Sequence, residues 1–199
     1  EILPSVTLAY ETWGELDEAS SNAVLILHAL TGDAHVCGEA APGQPTPGWW
    51  EQIVGPGRII DTDRYFVVAA NVLGGCQGST GPASLAPDGT PWGSRFPVIS
   101  TRDQVYAESR LADLLGIDEW SIVVGASLGG QRAIEWAVSY PERVRRLVVV
   151  ASGAQTTADQ AAWTHTQIRA IELDPAWRGG DYYAGPGPNA GLALARQIA

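Results

Sequence analysis

The stretch that most constrains the fold is Trp120 to Gly130, WSIVVGASLGG. Ser121-Ile122-Val123-Val124 is short, apolar and rich in β-branched residues, as a buried parallel strand requires. Gly125-Ala126-Ser127-Leu128-Gly129 then matches G-x-S-x-G. Gln131 to Ser139 carries helix formers, with Ala133, Ile134, Trp136 and Ala137 apolar, and Pro141 stops it. A strand, a sharp turn and a helix with serine at the apex form a nucleophile elbow. A Cβ at Gly125 or Gly129 is expected to collide with the adjoining strand and helix, and the turn to strain the backbone at Ser127. The pentapeptide alone is short enough to arise by chance in any glycine-rich turn. The strand before it and the helix after it select Ser127 as a nucleophile whose developing charge the helix N-terminus favours.

Around this element, strands and helices alternate. Val6 to Gly14 reads as an edge strand, and Ala23-Val24-Leu25-Ile26-Leu27 as a buried one. The latter runs into His28-Ala29-Leu30-Thr31-Gly32-Asp33, a tight loop of the kind that supplies half of an oxyanion hole. The expected donors are the backbone amides of Leu30 and Leu128. Preorganised donors of this sort contribute roughly 3–4 kcal/mol each. His28 reads as a brace for the loop rather than a base, and His35 has no assignable role. Gly48-Trp49-Trp50 with Ile53 suggests a short helix and a turn. Tyr65 to Asn71 is a third buried strand, followed by the glycine-rich loop Val72 to Pro82, in which Cys76 reads as a small packed residue. No Gly-Lys-Ser/Thr follows, so this is not a phosphate-binding P-loop. Thr101 is the expected cap of a helix from Arg102 to Leu115, which Gly116 ends. Leu147 to Ala151 is a further strand. The alternation from Ala23 to Ala151 predicts a doubly wound, mostly parallel α/β sheet. After it, Thr157-x-x-Gln160 forms a capping box for a helix to about Leu173, Asp174-Pro175 breaks it, and a second helix runs from Ala190 to Ala199. This predicts a core over residues 1–155 and the start of a helical lid over residues 156–199.

Composition excludes several functions. The chain has 199 residues, a net charge of −10 and 45% hydrophobic residues, which suits a globular domain and argues against nucleic acid or anionic membrane as partners. No apolar run approaches the ~20 residues of a membrane span, and no signal peptide opens the chain. Cys37 and Cys76, the only 2 cysteines, suggest reduced thiols and a cytoplasmic location. No cysteine–histidine spacing suggests zinc, so no metal is expected. The first residue is Glu1 and there are 0 methionines, which reads as a fragment.

These residues resemble one family closely, the homoserine O-acetyltransferases of methionine biosynthesis in the α/β-hydrolase superfamily. The resemblance rests on Tyr10-Glu11-Thr12-Trp13-Gly14, His28 to His35, Asn71 to Pro82, Arg102-Asp103, the elbow, Glu135-Trp136-Ala137, Asp174-Pro175 with Trp177, Gly180-Asp181-Tyr182 and Gly191 to Arg196. The glycine-cysteine loop is the more specific part, because generic esterases lack it. The resemblance implies an α/β-hydrolase fold with a helical lid and a ping-pong transfer of acetyl from acetyl-CoA, through Ser127, to L-homoserine. It implies no permanently bound cofactor, a homodimer, and Arg196 as the residue that holds the homoserine carboxylate; spacing alone reads Arg196 as an exposed helix arginine. The family usually has Gly-Gly-Ser-Met-Gly-Gly at the elbow, where this chain has Ala126 and Leu128; this leaves succinyl-CoA open as donor. A serine ester hydrolase of the same fold is the other alternative. The superfamily's acid and base follow later strands, and behind Ser127 the only histidine is His165. The acid, the base and a second homoserine-binding residue are therefore expected past Ala199.

Overall fold

The computed structural model describes residues 3–198. The chain divides into two compact units, one of Glu1–Thr80 with Val98–Gly153, the other of Gly81–Pro97 with Ala154–Ala199.

The first unit holds β1 (Tyr10–Trp13), β2 (Ala23–Leu27), β3 (Val54–Gly55), β4 (Ile60–Asp61), β5 (Phe66–Ala70), helix α1 (Thr101–Leu114), β6 (Ile122–Ala126), helix α2 (Leu128–Ser139) and β7 (Leu147–Val150). Five strands form one sheet in the order β1-β5-β2-β6-β7, parallel except for β1, which pairs antiparallel with β5. β2 lies at its centre, and both of its faces are used. Ala23, Leu25 and Leu27 point into a core shared with Val105, Leu111 and Ala112 of α1 and Ala133 and Trp136 of α2. Val24 and Ile26, on the alternate face, pack with Val36, Val54 and Ile60.

That second face is covered by an irregular segment in place of the helix expected near Trp49. Trp49 and Trp50 sit in a turn, stacked at 5.2 Å, and the short β3–β4 pair follows. Trp50 packs against that face while Trp49 stays exposed and stacks on Trp50, and the proline- and glycine-rich flank does not sustain a helix. Helix α1 begins one residue before the expected boundary. Ser100, not Thr101, is its cap: its hydroxyl accepts from the Asp103 amide at 3.2 Å, while the Asp103 carboxylate accepts from the Ser100 amide at 2.8 Å.

The second unit contains α3 (Ala158–Glu172) and α4 (Asn189–Ile198). Thr157 and Gln160 form the expected capping box of α3. The Asp174 carboxylate accepts from the Gly191 amide at 2.8 Å, tying the break after α3 to the start of α4. Residues 81–97, placed by the sequence within the 1–155 core, cluster with this unit. The reason is local: the Asp181 carboxylate takes the Ser94 amide at 2.9 Å and its hydroxyl at 3.0 Å. The last helical residue expected, Ala199, lies outside the described residues.

Candidate active site

The sheet order places β5 on one side of β2 and β6 and β7 on the other. Where winding reverses in an open parallel sheet, the C-terminal strand ends frame a crevice. Ser127 follows the C-terminal end of β6, and the loop carrying Leu30 leaves the C-terminal end of the adjacent β2; Leu27 and Gly125 are register partners.

Ser127 has φ 53° and ψ −119°, a conformation that costs a non-glycine residue on the order of 1–3 kcal/mol and persists only when its surroundings enforce it. They do. A Cβ on Gly125 would stand 2.1 Å from the Gly129 carbonyl oxygen, and one on Gly129 would stand 1.9 Å from that of Leu27. The Ser127 amide donates to the Val150 carbonyl at 3.1 Å, its carbonyl accepts from the Gly130 amide at 2.9 Å, and the Ser152 hydroxyl donates to the same oxygen. Ser127 occupies the N-cap position of α2, yet its hydroxyl accepts no capping bond and the residue is exposed. The hydroxyl therefore stands free above the positive end of the helix.

The Leu128 amide opens α2, where no intrahelical acceptor exists. The Leu30 amide donates no hydrogen bond among the described residues. Its peptide is held from the other side: the Ala29 carbonyl accepts from the Gly32 amide at 3.0 Å and lies 2.7 Å from His28 Nδ1. The Val72 amide donates to His28 Nε2 at 3.1 Å, which makes Nε2 an acceptor and puts the proton on Nδ1. Burial, reinforced by the nearby Arg132 charge, pushes the His28 pKa down to about 4, so the ring is a neutral brace, not a base. His35 behaves oppositely. Burial works against its charge, but a 2.9 Å bond to the Glu11 carboxylate and the charges of Glu11 and Asp33 raise its pKa.

The roles of four residues around the site were not read from the sequence, although Asn71 and Trp136 were named there as parts of motifs. Asn71 ties two loops together, accepting from the Ala34 amide and donating to the Gln77 carbonyl, each at 2.7 Å. Arg132, Glu108 and Trp136 form a buried network: the Arg132 guanidinium meets Glu108 at 2.5 Å and the His28 carbonyl at 2.9 Å, and the Trp136 indole donates to Glu108 at 2.8 Å. The signal was a charge inside each apolar stripe, Glu108 between Val105 and Leu111, and Arg132 one turn before Trp136. Cys76 corrects an expectation: the loop turns it outward, exposed, while its neighbour Ser79 is buried and donates to the Asn71 carbonyl at 2.6 Å. Arg196 lies in the last turn of α4, exposed and without an ion pair among the described residues. It belongs to the second unit, whereas Ser127, Leu30 and Leu128 belong to the first.

A family model for the alpha/beta hydrolase fold matches residues 22–199, and the chain belongs to that family. Among curated relatives, the homoserine O-acetyltransferase of Thermobifida fusca (strain YX) is 64% identical over 199 residues, covering 99% of this chain and 52% of the relative. That of Mycobacterium tuberculosis (strain ATCC 25177 / H37Ra) is 56% identical over 199 residues, covering 100% and 52%. The chain thus spans about half the length of the curated relatives it matches. Among solved structures, homoserine O-acetyltransferase from Bacillus anthracis superposes with a TM-score of 0.90 at 34% identity, and esterase E22 with 0.90 at 36%; each comparison covers 97% of this chain and 54% of the other.

Proposed function

We propose that this chain carries the nucleophile of a homoserine O-acetyltransferase. The observation that carries the activity is the 64% identity to a curated enzyme of that name across 99% of the chain; the strained, exposed serine supports the mechanism. Ser127 Oγ attacks the thioester carbonyl of acetyl-CoA, the Leu30 and Leu128 amides hold the oxyanion, and CoA departs as the thiol. The L-homoserine hydroxyl then attacks the acetyl-serine, giving O-acetylhomoserine and restoring the Ser127 hydroxyl. His28 and His35 are committed to bracing contacts and His165 lies on exposed α3, so we place the general base and its acid partner outside these residues. Acetyl-CoA is a substrate, and no permanently bound cofactor is required. The role fits a cytoplasmic homodimer in methionine biosynthesis, with residues 156–199 as the start of a lid. No described helix is long and apolar enough to cross a membrane.

Arg196 is the proposed clamp for the homoserine carboxylate, because a guanidinium fork matches that group with two charge-assisted bonds. In the complete protein, Ser127→Ala abolishes the burst of CoA from acetyl-CoA. Arg196→Ala keeps the burst but lowers kcat/KM for homoserine by roughly 30- to 1000-fold, the loss of about 2–4 kcal/mol, with partial rescue by Arg196→Lys. A variant that loses the burst and keeps its homoserine affinity overturns the Arg196 assignment. The likeness to esterase E22 favours a second reading, acetyl ester hydrolysis by the same acyl-serine. Water capturing the acetyl group faster than 1 mM-range homoserine, a substrate level typical of KM values of about 1 μM–1 mM, selects that reading.

A further inference from the structure

The proposed oxyanion donors come from two different elements, the Leu128 amide from α2 and the Leu30 amide from the loop after β2. Such a site functions only if the two are held to within about 0.5 Å of their working separation. Strand pairing ends at Leu27, so something beyond the sheet must fix the loop to the helix.

We propose that Arg132 is a positioning residue for acyl transfer, fastening the loop that carries Leu30 to the helix that carries Leu128. This rests on the Ser127 mechanism above and goes beyond it. The Arg132 side chain is fully buried and lies on α2 five residues after Ser127. One arm of its fork reaches across to the His28 carbonyl at 2.9 Å, two residues before Leu30. The other arm is held by Glu108 of α1 at 2.5 Å, and that carboxylate's second oxygen is fixed by the Trp136 indole at 2.8 Å. The His28 ring then grips the next carbonyl, that of Ala29, at 2.7 Å. The Ala29–Leu30 peptide is planar and trans, so fixing its C=O on one side fixes its N–H on the other. The Arg132 charge also helps keep His28 neutral, and only the neutral ring can accept from the Val72 amide.

Burying this pair costs desolvation, and Arg132 Nε finds no hydrogen-bond partner among the described residues. A buried ion pair is commonly matched or exceeded in stability by apolar side chains of similar volume. A role in stability alone therefore does not account for a guanidinium here, whereas no apolar side chain can donate to the His28 carbonyl.

The test measures the CoA burst rate and the rate of Ser127 phosphonylation by a fluorophosphonate probe, both per folded molecule of the complete protein. Three variants are compared: Arg132→Lys, the double variant Arg132→Met with Glu108→Leu, and Val105→Ala as a destabilised control one turn from Glu108 on α1. The double variant is expected to melt no lower than Arg132→Lys, yet to acylate roughly 100-fold more slowly than wild type, in the range that loss of one oxyanion donor produces. KM for both substrates stays within about threefold, as loss of a bond effective only in the transition state requires. Arg132→Lys recovers part of the rate, and Val105→Ala keeps it. Wild-type acylation by the folded double variant, or an equal loss in Val105→Ala, overturns the proposal. Absence of a Ser127-dependent burst from wild type instead overturns the acetyl-CoA reading, and the phosphonylation ratios then decide the role of Arg132 by themselves.

Discussion

β2 and β7 are nearly interchangeable as sequences: AVLIL and LVVV, both wholly apolar. In the structure they are opposites. Every residue of β2 is buried, with partners on both sides and a core on both faces. β7 pairs only with β6 among the described residues, and Leu147, Val148 and Val150 are 40%, 44% and 43% exposed. The contrast continues past the strand ends. His28 after β2 is buried, while Ala151 after β7 is exposed. An apolar run states that a strand can be buried; which neighbours are present decides whether it is. In this chain, about half the length of the curated relatives, β7 has β6 alone among the described residues.

The largest effect that tests this contrast is a cavity in the centre. In the 199-residue chain, Leu25→Ala is expected to cost about 3–5 kcal/mol of unfolding free energy, and Val148→Ala less than about 1 kcal/mol, by denaturant titration. Equal losses would break the comparison.

Next comes acid sensitivity at the end of β2. His28 titrates at about 4 in the fold against its ordinary 6.5, so between those values the unfolded chain binds the extra proton. Its contribution is fully present above pH 6.5 and is lost as pH falls toward 4, a change of about 3 kcal/mol. His35, with its raised pKa, runs the other way, adding stability below pH 6.5 that is lost as pH rises through its folded value. The difference in stability between wild type and His28→Asn, followed from pH 7 to pH 4, should shrink by about 3 kcal/mol. A constant difference would show that His28 is equally solvated in both states.

The smallest effect on stability belongs to β7. In the 199-residue chain by itself, Val148→Lys should shift the unfolding free energy by less than about 1 kcal/mol while slowing aggregation markedly in light scattering, because a charge on the strand edge that is bare in that chain blocks pairing with another copy. A loss as large as that of Leu25→Ala would mean that Val148 is buried in solution.

Much of this was legible in the residues. The four parallel strands lie where the apolar runs put them, because a five-residue run of β-branched and aliphatic side chains between turn signals has few other stable uses. The elbow was legible for a stricter reason: its glycines leave no room for a Cβ, at 2.1 Å and 1.9 Å from carbonyl oxygens, so pattern and geometry imply each other. The turn at Trp49 was misplaced because it depends on which neighbours the rings find, and local propensity carries no such information. The cap at Ser100, by contrast, was legible as Ser100-x-x-Asp103, the same local pattern as Thr157-x-x-Gln160, and was placed one residue late.

The sequence by itself thus determined the parallel sheet, the serine at its edge and the helix behind it, since these follow from periodicity and from the steric demands of a few residues along a short stretch. Which strand became the centre, which cysteine turned outward, and how Arg132, Glu108 and His28 came together were decided by tertiary structure alone. Arg132 and Glu108 are 24 residues apart in the chain, and Arg132 and His28 are 104. A hydrogen bond acts over about 3 Å, so only the packed sheet could bring such groups within its reach.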